Sequence, residues 1–563
     1  MNRISNYLCV VAVLALCVTC GCGVPSADGP ADTFGLDFSL PEGSQTNGAI
    51  VFVVDGVNAT TFQELLDAGE LPAIKTYLMD RGLYVPRAAS SHPSLTINNL
   101  NSLVTGRFSG HHGIPAAKSF DRNRLIFRNY ETLQDKNKVD DDANAPTIYE
   151  QFPDRLTFSM FMQAHHGATH FYENRTSAGP AFFFEMYPLV DRIAMHRFGE
   201  AMSIARQYRQ FPAVSVCYQL SVNFAAYKYK PSSPQYRQAI RDLDRQIGRV
   251  LGDLKRAGML DKVVVAFVSD HGHCDTPKHG KAIDFVEGLG ISLANDTPIG
   301  EETPFEKRLE HFNRVIGVPY GPGDRYWVLY LRKPFENGGK TTFADWLERP
   351  SPQELRNYPI RSGKGDLPVL LAGEEYVDAV AYLAEPGCVR VVRKGGEVEF
   401  RRVGRTSTSG PAVATQPADG EPERITYRLV RGTDPLEWAG KVSAVALAGE
   451  PLTSREWLEA TAGTEFPDLP AGLLSYYDGR LAADIVVFPA PLWDFDGWRK
   501  AGHGGIRSAE VFAPLLIAGP GIPHGRIPVA RTVDLVPTLL ESQGKPLPQG
   551  LDGQSLIGRA NKP

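Results

Sequence analysis

The chain has 563 residues, of which 43% are hydrophobic and 22% charged, and its formal net charge is −5. This length exceeds what one simple hydrophobic core supports, so we expect two or more domains or one large domain with insertions. The negative charge argues against a general nucleic-acid binder, which usually carries a basic excess, so no nucleic-acid partner is expected.

Residues 1–22 have the pattern of an export signal. Arg3 precedes an apolar run over residues 8–18 that is too short for a comfortable membrane span. Its end resembles a bacterial lipoprotein processing site, with Cys22 as the lipidated residue and Cys20 as the alternative; a plain secretory signal or an uncleaved anchor stays open. We expect an exported protein of the bacterial cell envelope, periplasmic or at the outer membrane, that an N-terminal lipid anchors to the membrane. Residues 23–46 are predicted to be a flexible tether.

Two apolar runs predict strands of an α/β core. Residues 49–54 end at Asp55, and residues 263–268 end shortly before Asp270 and His271. Continuous apolar runs rich in β-branched residues are typical of strands buried on both faces, as in a parallel sheet. The sequence therefore predicts a central, mostly parallel sheet flanked by helices.

The helix pattern supports the same fold class. Residues 233–257 carry apolar side chains at steps of three and four, and Ser233 can cap the first turn, which predicts an amphipathic helix. A further strand is predicted over residues 513–519 and a further helix over residues 533–542. Helix followed by strand is one α/β unit, and several such units build the predicted core.

The pattern shifts between about residue 320 and residue 480. Residues 388–392 and 397–403 predict a β-hairpin, and residues 405–422 form a Ser/Thr/Pro/Gly-rich loop without a core pattern. We interpret residues 321–479 as an inserted, smaller cap domain. The α/β core then comprises residues 47–320 and 480–563 and resumes near residue 483.

Polar residues at the ends of the predicted strands are candidate ligands. Open α/β sheets bind their ligands at the carboxyl ends of the strands, and the Asp270–His271 pair suits a divalent metal such as zinc. An incidental surface turn is the alternative for this pair alone. The neighbouring His273, Asp275 and His279 are interpreted as solvated or hydrogen-bonded loop residues.

A longer motif carries a family resemblance. Residues 91–106 read SHPSLTINNLNSLVTG, and a His-Gly-Ile triplet follows at residues 112–114. This stretch resembles the type I phosphodiesterase/nucleotide pyrophosphatase family of the alkaline phosphatase superfamily. By that resemblance Thr96, nine residues before Thr105, is the nucleophile, and Asn99 stands where the family commonly has Asn. A sulfatase signature is excluded because Leu95 replaces its Arg and the spacing is too long.

The resemblance implies two-metal catalysis. It assigns one metal to four residues that this chain keeps: Asp55, Thr96, Asp270 and His271. For the second metal the chain keeps His503, but Asn223 stands at the expected Asp position and Tyr227 at the expected His position. An amide oxygen and a phenol are weaker ligands than a carboxylate and an imidazole, so this second site is expected to be weakened or empty.

The resulting hypothesis is an exported, metal-dependent phosphoric ester hydrolase with a threonine nucleophile and one or two divalent ions, Zn²⁺ above all. Its expected partner is a phosphate-ester small molecule or a phosphorylated glycan or lipid head group. The alternative is a catalytically impaired surface lipoprotein that binds such a ligand without turning it over. A third option is a single-metal enzyme with altered chemistry on a phosphate or sulfate ester.

Overall fold

The computed structural model describes residues 45–132, 135–173, 178–294, 300–321, 325–334, 343–404, 423–495 and 499–560. The export signal, all but the last two residues of the expected tether, and the loop 405–422 lie outside these ranges. Among the described residues, no helix combines the length and the apolar character that a membrane crossing requires.

The predicted α/β core is organised around a mixed, mostly parallel sheet. In the described part of the chain this sheet has nine strands. In chain order the strands are Gly48–Val54, Gly82–Ala89, Thr157–Met160, His170–Tyr172, Val214–Gln219, Val263–Ser269, Phe512–Ala518, Gly525–Arg526 and Ala530–Arg531. The strands predicted over residues 49–54, 263–268 and 513–519 are thereby confirmed.

The apolar runs at residues 49–54 and 263–268 occupy the middle of this sheet. Strand Gly48–Val54 pairs in parallel with Val263–Ser269 on one side and with Val214–Gln219 on the other. Phe512–Ala518 continues the sheet as an antiparallel neighbour of Val263–Ser269. Every residue of the two central strands is buried, which explains their lack of polar alternation.

Helices connect these strands, in the order expected of α/β units. They are Ala59–Asp67, Pro72–Tyr77, Thr96–Thr105, Ser109–His112, Lys138–Asp142, Ala178–Phe183, Tyr187–Gln207, Ser221–Tyr229, Pro234–Arg256, Ala282–Gly288, Phe305–Phe312, Ser508–Val511 and Leu535–Ser542. The helix predicted over residues 233–257 is confirmed, and the Ser233 hydroxyl accepts a hydrogen bond from the N–H of Tyr236 at 3.2 Å. The helix predicted from residue 533 begins at Leu535 because Thr532–Asp534 form a 3₁₀ turn.

A second, antiparallel sheet accompanies the α/β core. Its eight described strands, in spatial order, are Gly317–Tyr320, Trp327–Leu331, Ile485–Pro489, Val377–Glu385, Cys388–Arg393, Gly396–Val403, Arg424–Gly432 and Leu452–Thr453. The helices in this part of the chain are Ala344–Leu347, Pro352–Arg356, Leu367–Ala372, Ala444–Leu447, Ser454–Thr461 and Leu469–Asp478. The predicted hairpin is confirmed, since residues 388–393 pair with residues 396–401.

This sheet extends beyond the segment interpreted as the insertion. Gly317–Tyr320 and Ile485–Pro489, which the sequence interpretation assigned to the α/β core, are strands of the second sheet. The resumption of the core near residue 483 was therefore wrong, and the chain returns to the central sheet with Phe512–Ala518. Both misplaced strands are buried apolar runs, so their composition alone does not tell which sheet they join.

Candidate metal centre and active site

Two neighbouring strand ends position the first acidic side chains. Strands Gly48–Val54 and Val263–Ser269 run parallel with their last residues opposite each other. Asp55 and Asp270 come next on the two strands, so both carboxylates are buried at the same edge of the sheet, and His271 follows with an equally buried ring. The ligand atoms of these three side chains all lie within 4.8 Å of one another.

A helix N-terminus brings the candidate nucleophile to the same place. Helix Thr96–Thr105 begins at Thr96, which keeps part of its surface exposed while the residues around it are buried. The Thr96 hydroxyl oxygen lies 3.0 Å from Nε2 of His271. Free backbone N–H groups and the helix dipole favour an anionic group at such a position. The geometry therefore suits a hydroxyl that meets a phosphate.

The two carboxylates each have one satisfied and one unsatisfied oxygen. Oδ1 of Asp270 accepts hydrogen bonds from the N–H groups of Gly56 and His271, and Oδ2 of Asp55 accepts from Tyr218 and Asn223. No donor among the described residues reaches the other oxygens, Asp55 Oδ1 and Asp270 Oδ2, which are buried. They lie 3.3 and 3.4 Å from Nε2 of His271. Two bare carboxylate oxygens, a ring nitrogen and the Thr96 hydroxyl thus fit a divalent cation.

The charges of this cluster are mutually dependent. Burial and the nearby Asp55 carboxylate raise the pKa of Asp270 to about 7, although His271 opposes the increase. Burial alone would lower the pKa of His271, but the carboxylates of Asp270 and Asp55 outweigh it and raise that pKa to about 9. Two buried acids at this separation are stable in ionised form only with a positive charge between them. A protonated His271 ring supplies that charge in the absence of metal, and a bound cation would supply it with His271 as a neutral ligand.

Two further histidines extend the centre. His273 and His503 are buried, and the ligand nitrogens of His271, His273 and His503 lie within 4.8 Å of one another. The rings of His271 and His503 stack with their centroids 3.7 Å apart. Antiparallel pairing of Cys274–Asp275 with Ala501–Gly502 holds His273 and His503 side by side.

His273 is a site residue that the sequence interpretation assigned to a loop. It is hydrogen-bonded, as expected, but it lies inside the centre and not in a peripheral loop. Its position two residues after His271 was the available signal. Gly272 lets the chain pass close to the neighbouring backbone, since a Cβ there would lie 2.2 Å from the carbonyl oxygen of Ala509.

The two substituted positions lie in the same centre. Asn223 and Tyr227 are one turn apart on helix Ser221–Tyr229 and face the same side. The Asn223 amide donates to Asp55 Oδ2 at 3.1 Å, and its oxygen lies 2.5 Å from Nε2 of His273. The Tyr227 hydroxyl lies 2.5 Å from Nε2 of His503. The two positions inferred from the family resemblance therefore lie in the centre, although Asn223 is not the expected carboxylate and Tyr227 is not the expected imidazole.

Asn99 has a different role from the catalytic one expected. It is fully buried, and its amide oxygen accepts a hydrogen bond from the N–H of Ser91 at 2.7 Å. Its amide nitrogen donates to the carbonyl oxygens of Ser91, Pro93 and Leu95. Because both ends of the amide bind backbone, Asn99 shapes the turn that presents Thr96 and is a positioning residue.

Arg499 is a second residue that sequence reasoning missed. Its guanidinium carbon lies 4.1 Å from the centroid of the Tyr227 ring, at the edge of the centre. Burial and the positive charge of His271 hold the pKa of His273 and of His503 well below the ordinary value, and Arg499 adds to both effects. A guanidinium at this place can attract a phosphate group.

Other candidate residues lie elsewhere or outside the described ranges. His279, interpreted from the sequence as a loop residue, pairs with Asp494 at 2.6 Å, and His165 pairs with Asp140 at 3.1 Å. Cys22 lies outside the described residues, so its lipidation stays a prediction.

Comparisons with known proteins relate part of this chain to one family. The family model for type I phosphodiesterase / nucleotide pyrophosphatase matches residues 49–295, which include Asp55, Thr96, Asp270 and His271. The match covers less than half of the chain, and over these residues the chain is similar to that family of phosphodiesterases and nucleotide pyrophosphatases.

Two curated relatives match less than half of this chain, at low sequence identity. An uncharacterized pyrophosphatase/phosphodiesterase of Schizosaccharomyces pombe is 26% identical over 248 residues, which cover 42% of this chain and 49% of the relative. The bis(5'-adenosyl)-triphosphatase enpp4 of Xenopus laevis is 22% identical over 273 residues, which cover 47% and 56%. The chain thus spans about half the length of the curated relatives it matches.

A solved structure shares the fold. Human ectonucleotide pyrophosphatase / phosphodiesterase 5 superposes with a TM-score of 0.51 at 13% sequence identity, covering 92% of this chain and all of that one. At this identity the likeness concerns the fold alone.

Proposed function

We propose that this protein is a metal-dependent phosphoric ester hydrolase in which Thr96 is the nucleophile. One observation carries the proposal. The Thr96 hydroxyl lies 3.0 Å from His271 Nε2, beside two buried carboxylate oxygens without a hydrogen-bond donor in the described structure. A hydroxyl next to an incomplete cation shell, at a helix N-terminus, is the arrangement that phosphoryl transfer to a side chain requires.

The reaction would take place in two displacements. First, the Thr96 oxygen loses its proton and bonds to phosphorus, while the bond from phosphorus to the leaving oxygen breaks and the alcohol departs with a proton. Second, water attacks the same phosphorus, the Thr96 oxygen–phosphorus bond breaks, and Thr96 regains a proton. A divalent cation held by Asp55, Asp270 and His271 would lower the pKa of the hydroxyl and offset charge on the phosphoryl oxygens.

Zn²⁺ is the ion that we propose for this centre. The donor set mixes imidazole nitrogens with carboxylate oxygens, which suits zinc, whereas Mg²⁺ and Ca²⁺ prefer oxygen ligands alone. Each of the three histidines has its Nδ1 near a backbone carbonyl oxygen, at 2.9 Å for His271, 3.2 Å for His273 and 3.1 Å for His503. Such bonds orient metal-binding imidazoles and leave Nε2 as the ligand.

The proposed substrate is a phosphate-ester small molecule, with nucleotide esters as the first class to examine. The family's name and that of the Xenopus relative support this class. Arg499 beside Tyr227 supplies a cation for the phosphate. Export to the cell envelope and attachment through Cys22 belong to the same proposal and rest on the leader sequence.

A ligand-binding protein without turnover is the second candidate. Asn223 and Tyr227 favour it, because they stand where the family resemblance implies a carboxylate and an imidazole. Chemical turnover separates the two candidates, because both would bind a phosphate ester.

The decisive experiment compares Thr96→Ala, Thr96→Ser and wild type on bis(p-nitrophenyl) phosphate with added Zn²⁺. We expect Thr96→Ala to lower kcat by at least about 1,000-fold, because the attacking atom is lost. Thr96→Ser keeps a hydroxyl and should retain turnover within about tenfold. Thr60→Ala, at an exposed threonine of helix Ala59–Asp67, is the control. Wild-type turnover by Thr96→Ala would exclude this nucleophile, and a wild type that binds but never turns over would favour the second candidate.

A further inference from the structure

The hydrogen-bond partners of His273 are chemically incompatible with a neutral ring. Its Nδ1 lies 3.2 Å from the carbonyl oxygen of Gly502, and its Nε2 lies 2.5 Å from the amide oxygen of Asn223. Both oxygens are acceptors, whereas a neutral imidazole has a single N–H to donate. One ring nitrogen must therefore direct its lone pair at an oxygen lone pair, within a fully buried setting.

Turning the Asn223 amide over does not remove this conflict. In its present orientation the amide nitrogen donates to Asp55 Oδ2 at 3.1 Å. The reversed amide would place its oxygen against that carboxylate and move the acceptor–acceptor contact from one neighbour to the other. A cation bound by both groups would relieve the contact between the His273 ring and the Asn223 amide oxygen.

The surroundings provide more donor atoms for a cation. Nε2 of His503 lies close to the Tyr227 oxygen, 2.5 Å away, while its Nδ1 faces the carbonyl oxygen of Ser94 at 3.1 Å. The ring centroids of His273 and His503 are 4.9 Å apart. His271 directs its own Nε2 at Asp55, Asp270 and Thr96. The Nε2 atoms of His273 and His503 point elsewhere, at the Asn223 amide oxygen and the Tyr227 oxygen.

We infer that this chain has a rebuilt second cation site in which Nε2 of His273 and of His503 and the Asn223 amide oxygen are ligands, with the Tyr227 oxygen adjacent. The inference rests on the proposed function, because it completes a two-metal centre around Thr96. The family resemblance implies a histidine at position 227, where this chain has Tyr227. His273 would supply an imidazole in its place. Two nitrogen ligands favour Zn²⁺ over Mg²⁺ or Ca²⁺.

The charge of the ligands distinguishes the two sites. The first site has two carboxylates, whereas the ligands inferred for the second site are neutral. A neutral ligand set attracts a dication less strongly, so the second equivalent should bind at least about tenfold more weakly than the first. Titration with metal should therefore show two steps.

The test measures bound metal in the absence of substrate. Wild type, His273→Ala, Asn223→Ala and the control His196→Ala, at a surface-exposed histidine, are stripped with chelator and titrated with Zn²⁺ by calorimetry. Bound Co²⁺ is followed in parallel by its visible absorption. We expect two equivalents in wild type and in His196→Ala, and one in His273→Ala. Asn223→Ala should weaken the second step by at least about tenfold. The circular dichroism of each variant establishes that it is folded.

Each result has one meaning. Loss of only the second step in His273→Ala supports the inference. A single equivalent in wild type that His273→Ala leaves unchanged overturns it and leaves the proposed hydrolase with its first metal. No bound metal in folded wild type would overturn the inference together with the metal dependence of the proposed function. If His273→Ala does not fold, the weakened or unchanged second step of Asn223→Ala decides.

Discussion

The hydroxyl oxygen of Thr96 lies 3.0 Å from Nε2 of His271. This contact joins the first residue of a helix to the end of a buried central strand, two elements that are 175 residues apart in the sequence. A rigid sheet edge and a helix N-terminus together fix the position of the hydroxyl.

Replacement of Asp270 by Asn should remove the first metal. The change deletes one of two carboxylates that face His271, so the affinity for Zn²⁺ should fall by about 100-fold or more. Zn²⁺ should raise the thermal midpoint of wild type, because a ligand that binds only the folded state stabilises it, and should raise that of Asp270→Asn much less. Asp253→Asn, at an exposed position of helix Pro234–Arg256, is the control. Equal stabilisation of all three proteins by Zn²⁺ would remove Asp270 from the ligand set.

Replacement of Asn99 by Ala should affect both the fold and the reaction. The buried turn loses four hydrogen bonds to backbone atoms, which should lower the free energy of unfolding by about 1–3 kcal/mol. Displacement of Thr96 should lower kcat by about 100-fold. Asn101→Ala removes one bond within the helix and should leave turnover nearly unchanged. A large loss of turnover with wild-type stability would instead indicate direct contact between Asn99 and the substrate.

Replacement of Arg499 by Ala should weaken substrate binding more than chemistry. The guanidinium is placed to attract the phosphate throughout the reaction, so its loss should raise KM by about tenfold with little change in kcat. The effect should shrink at high salt, since ions screen a partly exposed charge. Lys500→Ala, at the exposed neighbouring position, is the control. An unchanged KM in Arg499→Ala contradicts a phosphate-binding role.

A buried network connects the segment after the nucleophile helix to distant parts of the chain. His111 contacts Asp552 at 2.7 Å and Asp478 at 2.8 Å, and Arg402 also binds Asp478. Burial alone would lower the pKa of His111, but the two carboxylates outweigh it and raise that pKa to about 10. The imidazolium therefore stabilises the fold fully below about pH 6.5, its ordinary pKa, and this contribution is lost as the pH rises through about 10.

Replacement of His111 by Gln should reveal this dependence. The variant leaves the mostly buried Asp552 carboxylate without its imidazolium partner, while Asp478 keeps Arg402, and the loss should cost about 3 kcal/mol of unfolding free energy at pH 7. Urea unfolding between pH 6 and pH 10 should show a decline in wild-type stability that His111→Gln largely lacks. The same decline in both proteins would show that His111 is not its source.

Strands and helices could be predicted from the sequence where the spacing of apolar residues fits only one kind of secondary structure. Residues 263–268 are apolar and β-branched because both faces of the strand are buried, and residues 233–257 follow the helical period because one face packs on the core. The sequence pattern did not predict to which of the two sheets each strand belongs. Ile485–Pro489 has the composition of a core strand, yet its partners lie in the second sheet, since pairing is decided by contacts distant in sequence.

The candidate metal centre was likewise predictable only in part, because some of its residues are brought together by contacts distant in sequence. Asp55 and His271 follow strand ends directly, so their convergence could be inferred from the rule that parallel strands end at one edge. His273 enters the centre because its chain segment pairs with Ala501–Gly502, more than 200 residues away. Asn99 matched an expected family position, but the hydrogen bonds that define its role are made to the preceding turn. Motif position therefore located Asn99 without giving its function, and it did not place His273 in the centre.

Trapping of the covalent intermediate tests the central proposal most directly. Zinc-loaded protein is mixed with bis(p-nitrophenyl) phosphate, quenched in acid within the first turnovers, digested and analysed by mass spectrometry. The account predicts a p-nitrophenyl phosphoryl group on the peptide that contains Thr96, on Thr96 itself, and its absence from Thr96→Ala. Turnover at the wild-type rate by Thr96→Ala, or a phosphoryl group on a different residue, would contradict it.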